Sequence, residues 1–123
     1  MKINRNYFEK HIVAQHDDED YSESGYAVCW FPAQTCAIFN YSHCSCFGTW
    51  ESISNHDDYS YDDSNPPEDR DVTPVWEGTS AQLIELARNK SDPAMPGRIA
   101  NKNDSDYDHL MAVYEQILEK FDT

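Results

Sequence analysis

The stretch "NYSHCSCFGTW", residues 40–50, gathers residue types that do chemistry: His43, then Cys44 and Cys46 one residue apart, with Gly48 and Trp50 behind them. With Cys29 or Cys36 added, His43, Cys44 and Cys46 make a nitrogen–sulfur donor set that zinc accepts. In extended backbone Cys44 and Cys46 point to one side and His43 to the other, so the histidine needs a turn to join them. The full spacing, C-x6-C-x7-C-x-C, matches no pattern built on C-x2-C knuckles. A nucleophilic or redox thiol needs a base or a helix N-terminus to lower its pKa, and His43 is the only local candidate. Cys29 and Cys36, on neighbouring apolar runs, read as small core residues. The stretch is therefore expected to be structural. It ends a strand and turns at Gly48, with Phe47 and Trp50 packing the end of the sheet onto helices. A metal site of Cys44, Cys46 and His43 is the alternative, and no other cofactor is expected.

Carboxylates supply the other candidates. Asp104, Asp106, Asp108 and Glu115 have the spacing of EF-hand ligands, but the position that demands glycine is His109. An apolar helical stripe also runs straight through the would-be loop, so helix capping and a solvated face account for these residues. The acidic groups at 17–20 and 57–63 lie in polar segments without fixed geometry, which paired catalytic carboxylates require. Glycine-rich phosphate loops, G-x-S-x-G and H-E-x-x-H are all absent from the sequence. The chain is thus expected not to be an enzyme.

Charge distribution is more informative than any motif. The formal net charge is −14, and from His11 through Asp69 there is no lysine or arginine. The same run holds Asp17, Asp18, Glu19, Asp20, Glu23, Glu51, Asp57, Asp58, Asp62, Asp63, Glu68 and Asp69. Such a surface repels nucleic acid and anionic membranes and attracts basic protein surfaces. Self-repulsion at this density costs stability, which argues for a use beyond solubility. Tyr59 and Tyr61 stand among these carboxylates and suit a protein-facing surface, since tyrosine supplies contact area at low entropic cost.

The elements that must position these residues follow from hydropathy patterning. At 123 residues the chain is expected to be a single domain, 1–123, with a modest core. "HIVAQ" (11–15), "GYAVCWF" (25–31) and "TCAIFNY" (35–41) read as strands, the last two forming a hairpin through Pro32-Ala33-Gln34. Cys36, Ile38 and Asn40 fall on one side of the third run, and Ala37, Phe39 and Tyr41 on the other. The acidic segment 16–24 is the longer turn between the first two strands, and 51–71 reads as an acidic mobile loop. "TSAQLIELARNK" reads as a helix capped by Thr79 or Ser80, with Leu83, Ile84 and Ala87 inward, stopped by "DPAMPG". A second helix carries Tyr107, Leu110, Met111, Tyr114, Ile117, Leu118 and Phe121 on its core face, with Asp104, Ser105 and Asp106 at its start. Together these predict an α+β fold: a small antiparallel sheet of three to four strands in the N-terminal half, packed against two C-terminal α-helices. No run of about 18 apolar residues exists, and "MKINRNYFEKHIV" lacks the apolar region of a secretory signal, so a cytoplasmic location is expected.

Tyr41, Ser42, His43, Cys44, Ser45, Cys46, Phe47 and Gly48, followed by Trp76, Thr79 and Leu83, resemble a group of small uncharacterised phage proteins. In that group a Y/G-S-H-C-S-C-Y/F-G segment precedes a Trp-x-x-Thr helix start. The resemblance spans about residues 11 to 87. It departs at 51–71, which looks like an insertion, and at Gly78, where the group's pattern has proline. It implies a phage origin and no activity. Phage origin and acidity together predict an inhibitor that binds a basic host nucleic-acid-binding protein, such as a CRISPR effector, restriction enzyme or repair factor, by mimicking nucleic-acid charge. Its contact residues are expected to be Asp17, Asp18, Glu19, Asp20, Asp57, Asp58, Tyr59, Tyr61, Asp62 and Asp63. The alternatives are the small metal-binding domain and a non-enzymatic adaptor.

Overall fold

Continuous apolar runs in "GYAVCWF" and "TCAIFNY" decide the architecture, because successive side chains point to opposite faces and each strand then has two apolar faces that both need cover. The computed structural model describes residues 1–17, 22–44 and 69–122. A strand β1 (Lys2–Asn4) leads into a short helix α1 (Arg5–Lys10), and β2 (Ile12–Asp17), β3 (Ser22–Phe31) and β4 (Thr35–Cys44) follow. Beyond these come β5 (Asp69–Asp71), β6 (Trp76–Thr79), helix α2 (Ser80–Asn89), the strands β7 (Ser91–Asp92) and β8 (Met95–Ile99), and helix α3 (Tyr107–Phe121). The central sheet is antiparallel with order β2-β3-β4-β6 and packs against α2 and α3, which is the expected α+β arrangement. No helix among the described residues is long and apolar enough to cross a membrane.

The β3–β4 hairpin turns through a 3₁₀ segment, Pro32–Gln34, whose proline presets the first φ. Ala33 (φ 65°) and Gln34 (φ 60°) occupy left-handed backbone that glycine would take more cheaply. Gln34 compensates by accepting a 2.7 Å hydrogen bond from the Ser80 hydroxyl at the start of α2. Counting outward from this turn sets the register: Trp30 faces Cys36, Val28 faces Ile38 and Tyr26 faces Asn40.

One sheet face presents Ala14, Val28, Cys36 and Ile38 to Leu83, Leu86 and Ala87 of α2 and to Leu110, Val113, Tyr114 and Ile117 of α3. The inward residues differ slightly from the sequence expectation. Leu86 is buried while Ile84 is half-buried, and Val113 is buried while Met111 is half-buried. Phe121 stays partly exposed and stacks on Trp30 at 4.0 Å between ring centroids. Thr79 caps α2 in a full capping box with Gln82. Asp106 stands at the N-cap of α3 but makes no capping bond with its side chain, contrary to the expectation from "DSD".

The opposite face presents Ala27, Cys29, Phe31, Ala37, Phe39 and Tyr41, and a second core closes over it with Ile3, Phe8 and Val72. This cover comes from the N-terminal segment, which hydropathy patterning left without structure. The expected loop 51–71 is also shortened at its end, because Asp69–Asp71 is a strand paired with Lys2–Asn4. Three alternating charged residues carry no apolar signal, and only backbone pairing to β1 makes them a strand. "DPAMPG" likewise does more than stop a helix. Asp92 accepts a hydrogen bond from the Ala94 amide and turns the chain into the β7–β8 hairpin.

Candidate functional site

Helix α3 lies along the edge strand β2, and its contacts order the site. Near its C-terminal end the Lys120 ammonium donates to the Val13 carbonyl. One turn earlier the Gln116 amide pairs with the Gln15 backbone in both directions, accepting from its N–H at 3.3 Å and donating to its C=O at 3.1 Å. That side chain imitates a neighbouring strand and closes the β2 edge at this position. At the N-terminal end of α3, His109 meets His16 of β2.

Register builds the rest of this end. His16 faces Tyr26 across β2–β3, and Tyr26 faces Asn40 across β3–β4, so the three side chains form one row on the helix-covered face. The first turn of α3 closes over that row. Asn40 donates from Nδ2 to the Gly25 carbonyl at 3.0 Å and to the Asp106 carboxylate at 3.4 Å. The Nδ1 atoms of His16 and His109 are 2.9 Å apart, with ring centroids at 5.1 Å and planes tilted by 32°. His109 is buried, at 7% exposure, whereas His16 is exposed. Burial first, and then the Asp106, Asp92 and Asp104 carboxylates, push the Tyr26 phenol up to about 12. A half-buried polar cluster thus sits at the end of the sheet where β2 finishes at Asp17, inside a field of carboxylates.

The residues singled out from sequence are distributed unevenly. Asp17 is the last residue of β2, while Asp18, Glu19 and Asp20, and Asp57, Asp58, Tyr59, Tyr61, Asp62 and Asp63, lie outside the described residues. His43 and Cys44 continue β4 past the expected end at Tyr41, with their backbones opposite Glu23 and Ser22. Their side chains, and Cys46 with Phe47 and Trp50, are outside the described part. Cys29 and Cys36 are buried free thiols on opposite faces of the sheet, so they cannot join one donor set. Burial pushes Cys29 up to about 12, with Cys36 a lesser cause, and pushes Cys36 up to about 11. Both are therefore protonated and inert at neutral pH. Asp108 and Glu115 are helical, which removes the EF-hand loop. Among the described residues no group of three or more His, Cys, Asp and Glu is arranged to hold a metal ion.

Gly78 has a local reason to be glycine. A Cβ there would lie 2.5 Å from Cζ2 of Trp76 and 2.6 Å from Oε1 of Gln82, the atom that completes the α2 capping box. The Trp76 ring lies over residue 78 and walls a cleft of about 490 Å³ with Ala81, Glu85, Leu86 and Pro96.

Sequence reasoning missed His16, His109, Tyr26 and Asn40 as a group. Counting register from the three-residue turn aligns Tyr26 with Asn40, but not His16, whose strand pairs with β3 across a register shift. Comparison of the chain with protein-family models, with curated proteins and with solved structures gives no match.

Proposed function

We propose that this chain is a non-enzymatic acidic binding protein that engages a basic, nucleic-acid-binding protein by presenting carboxylates where that partner expects phosphates. The observation that carries the reading is the charge map: a net charge of −14, with no lysine or arginine from His11 through Asp69. The described part adds support. Asp17 ends β2, Asp108 lies in the first turn of α3, and Asp92, Asp104 and Asp106 all act on Tyr26 at the same end of the fold. The cations Lys120 and Arg88 lie at the other end of α3, where Arg88 pairs with Asp122. The partner's Lys and Arg would engage this end and the acidic segments 17–20 and 57–63, as they engage a nucleic-acid backbone. A phage inhibitor of a host defence or repair protein is the form of this activity that the sequence resemblance favours.

The test starts from a partner captured from lysate and measures its affinity for the purified chain against salt. Charge mimicry requires the logarithm of the binding constant to fall steeply and linearly with the logarithm of salt concentration. It also requires nucleic acid to compete for the partner. Binding that is flat in salt, or unchanged when Asp57, Asp58, Asp62 and Asp63 are all replaced by asparagine, refutes the proposal.

A further inference from the structure

We propose that the cleft beside Trp76 binds an arginine side chain presented by a peptide segment of a basic partner protein. The site uses none of the acidic residues at 17–20 and 57–63, so it is tested separately from the charge-mimicry reading.

At about 490 Å³ the cleft is within the size range of ordinary ligand sites. Its position is fixed by a junction without a loop, since Thr79 ends β6 and is also the N-cap of α2. The capping box with Gln82 holds that junction, and Gly78 leaves room for the Trp76 ring beside the strand. The aromatic wall is therefore set by packing before any ligand arrives.

The lining has the two-part character of an arginine side chain. Trp76, Ala81 and Pro96 offer apolar surface to the methylene stem, and Glu77 of β6 with Glu85 of α2 supply carboxylates for the cationic head. No lysine, arginine or histidine of the described residues lines the cleft, which disfavours an anionic ligand. Neither glutamate has a hydrogen-bond or ion-pair partner among the described residues. Arg88 feels Glu85 from three residues along α2, but it is held by hydrogen bonds to Asp122. A guanidinium is preferred to an ammonium because it is planar and weakly hydrated. It stacks on an indole while its paired donors reach a carboxylate.

The test adds a capped peptide, acetyl-Gly-Arg-Gly-amide, to the ¹⁵N-labelled full chain and follows amide and indole resonances by NMR. The same peptide with lysine, or with neutral citrulline, in place of arginine is run in parallel at equal ionic strength. The arginine peptide should shift the Trp76 indole N–H and the Glu85 amide saturably. Trp30, whose ring is stacked on Phe121, serves as the internal reference and should stay put. The lysine peptide should bind about threefold more weakly or worse, and the citrulline peptide should not saturate. Glu85→Gln, at an exposed helix position, should weaken the arginine peptide by about threefold. Equal shifts from the lysine peptide would mean counter-ion attraction to the net charge and overturn the proposal. So would shifts that bypass Trp76, or arginine binding indifferent to Glu85→Gln. Any of these failures leaves the salt and competition test of charge mimicry untouched.

Discussion

Replacing Phe8 by alanine should unfold more than the segment that carries it. Phe8 is fully buried on the face of the sheet away from α2 and α3, and meets Phe39 edge-on at 5.2 Å with an interplanar angle of 81°. Ala27, Cys29 and Ala37 lie on that face, and their small side chains leave depth for a large ring. Truncating a buried phenylalanine costs about 3–5 kcal/mol, a value that already includes the lost aromatic contact. A domain of this size is stable by only about 5–15 kcal/mol, so roughly a fifth of the total or more is at stake. The measurement is urea denaturation followed by circular dichroism, with amide hydrogen exchange read at Val28 and Ala37 in the central strands. A two-sided core requires those amides to lose protection together with the N-terminal residues. A loss below about 1 kcal/mol, with central protection unchanged, would show that α1 is a detachable flap and that one face suffices to hold the sheet.

Three further outcomes follow from particular contacts. Tyr114→Phe removes the 2.6 Å hydrogen bond that its buried hydroxyl donates to the Ser91 carbonyl, and should cost about 1–2 kcal/mol by denaturation. Gln116→Leu deletes both bonds to the Gln15 backbone, costing about 1–3 kcal/mol, and should promote self-association through the uncovered β2 edge in sedimentation velocity. Cys29 and Cys36 should resist alkylation in the folded chain at pH 8, as read by peptide mass mapping. Their folded pKa values, about 12 and about 11, lie above the ordinary thiol value of 9.0. Their contribution to stability is therefore complete below about pH 9 and is lost as pH rises towards 11–12, which a pH series of denaturation midpoints will display.

The elements legible in the sequence are those with a sustained apolar signal. β3 and β4 carry continuous apolar runs bounded by turn and polar residues, and α3 repeats apolar residues at helical spacing, so both the hairpin and the covering helix follow from patterning. The N-terminal cover was not legible, because Ile3 and Phe8 are its only buried apolar anchors and lie five positions apart, a spacing that fits neither period. Strand β5 was hidden for a related reason, since "DRD" is made a strand by its partner alone. The polar row at the sheet end was half legible. Tyr26 and Asn40 were assigned to strands, yet their alignment with each other and with His16 is a matter of register, and His109 arrives from 93 residues away in sequence.

Covering both faces of the central sheet restricts where a partner can dock. The helices take one face and the N-terminal segment takes the other. Gln116 and Lys120 bond the backbone of β2 along its outer edge, which removes strand addition there. Among the described residues this leaves the β6 edge with its Trp76 cleft, and the two ends of the sheet. At one end α3 finishes with Lys120 and the Arg88–Asp122 pair, where the charges are mixed and largely neutralise one another. At the other end β2 stops at Asp17, α3 begins behind Asp104 and Asp106, and the chain enters and leaves its acidic segments. At that end Asp92, Asp104 and Asp106 all add to burial in pushing the Tyr26 phenol up, so their negative potential acts together on one region of the surface. Basic partners are steered by potential before they are held by contacts, so this end of the sheet is where encounter with such a partner would begin.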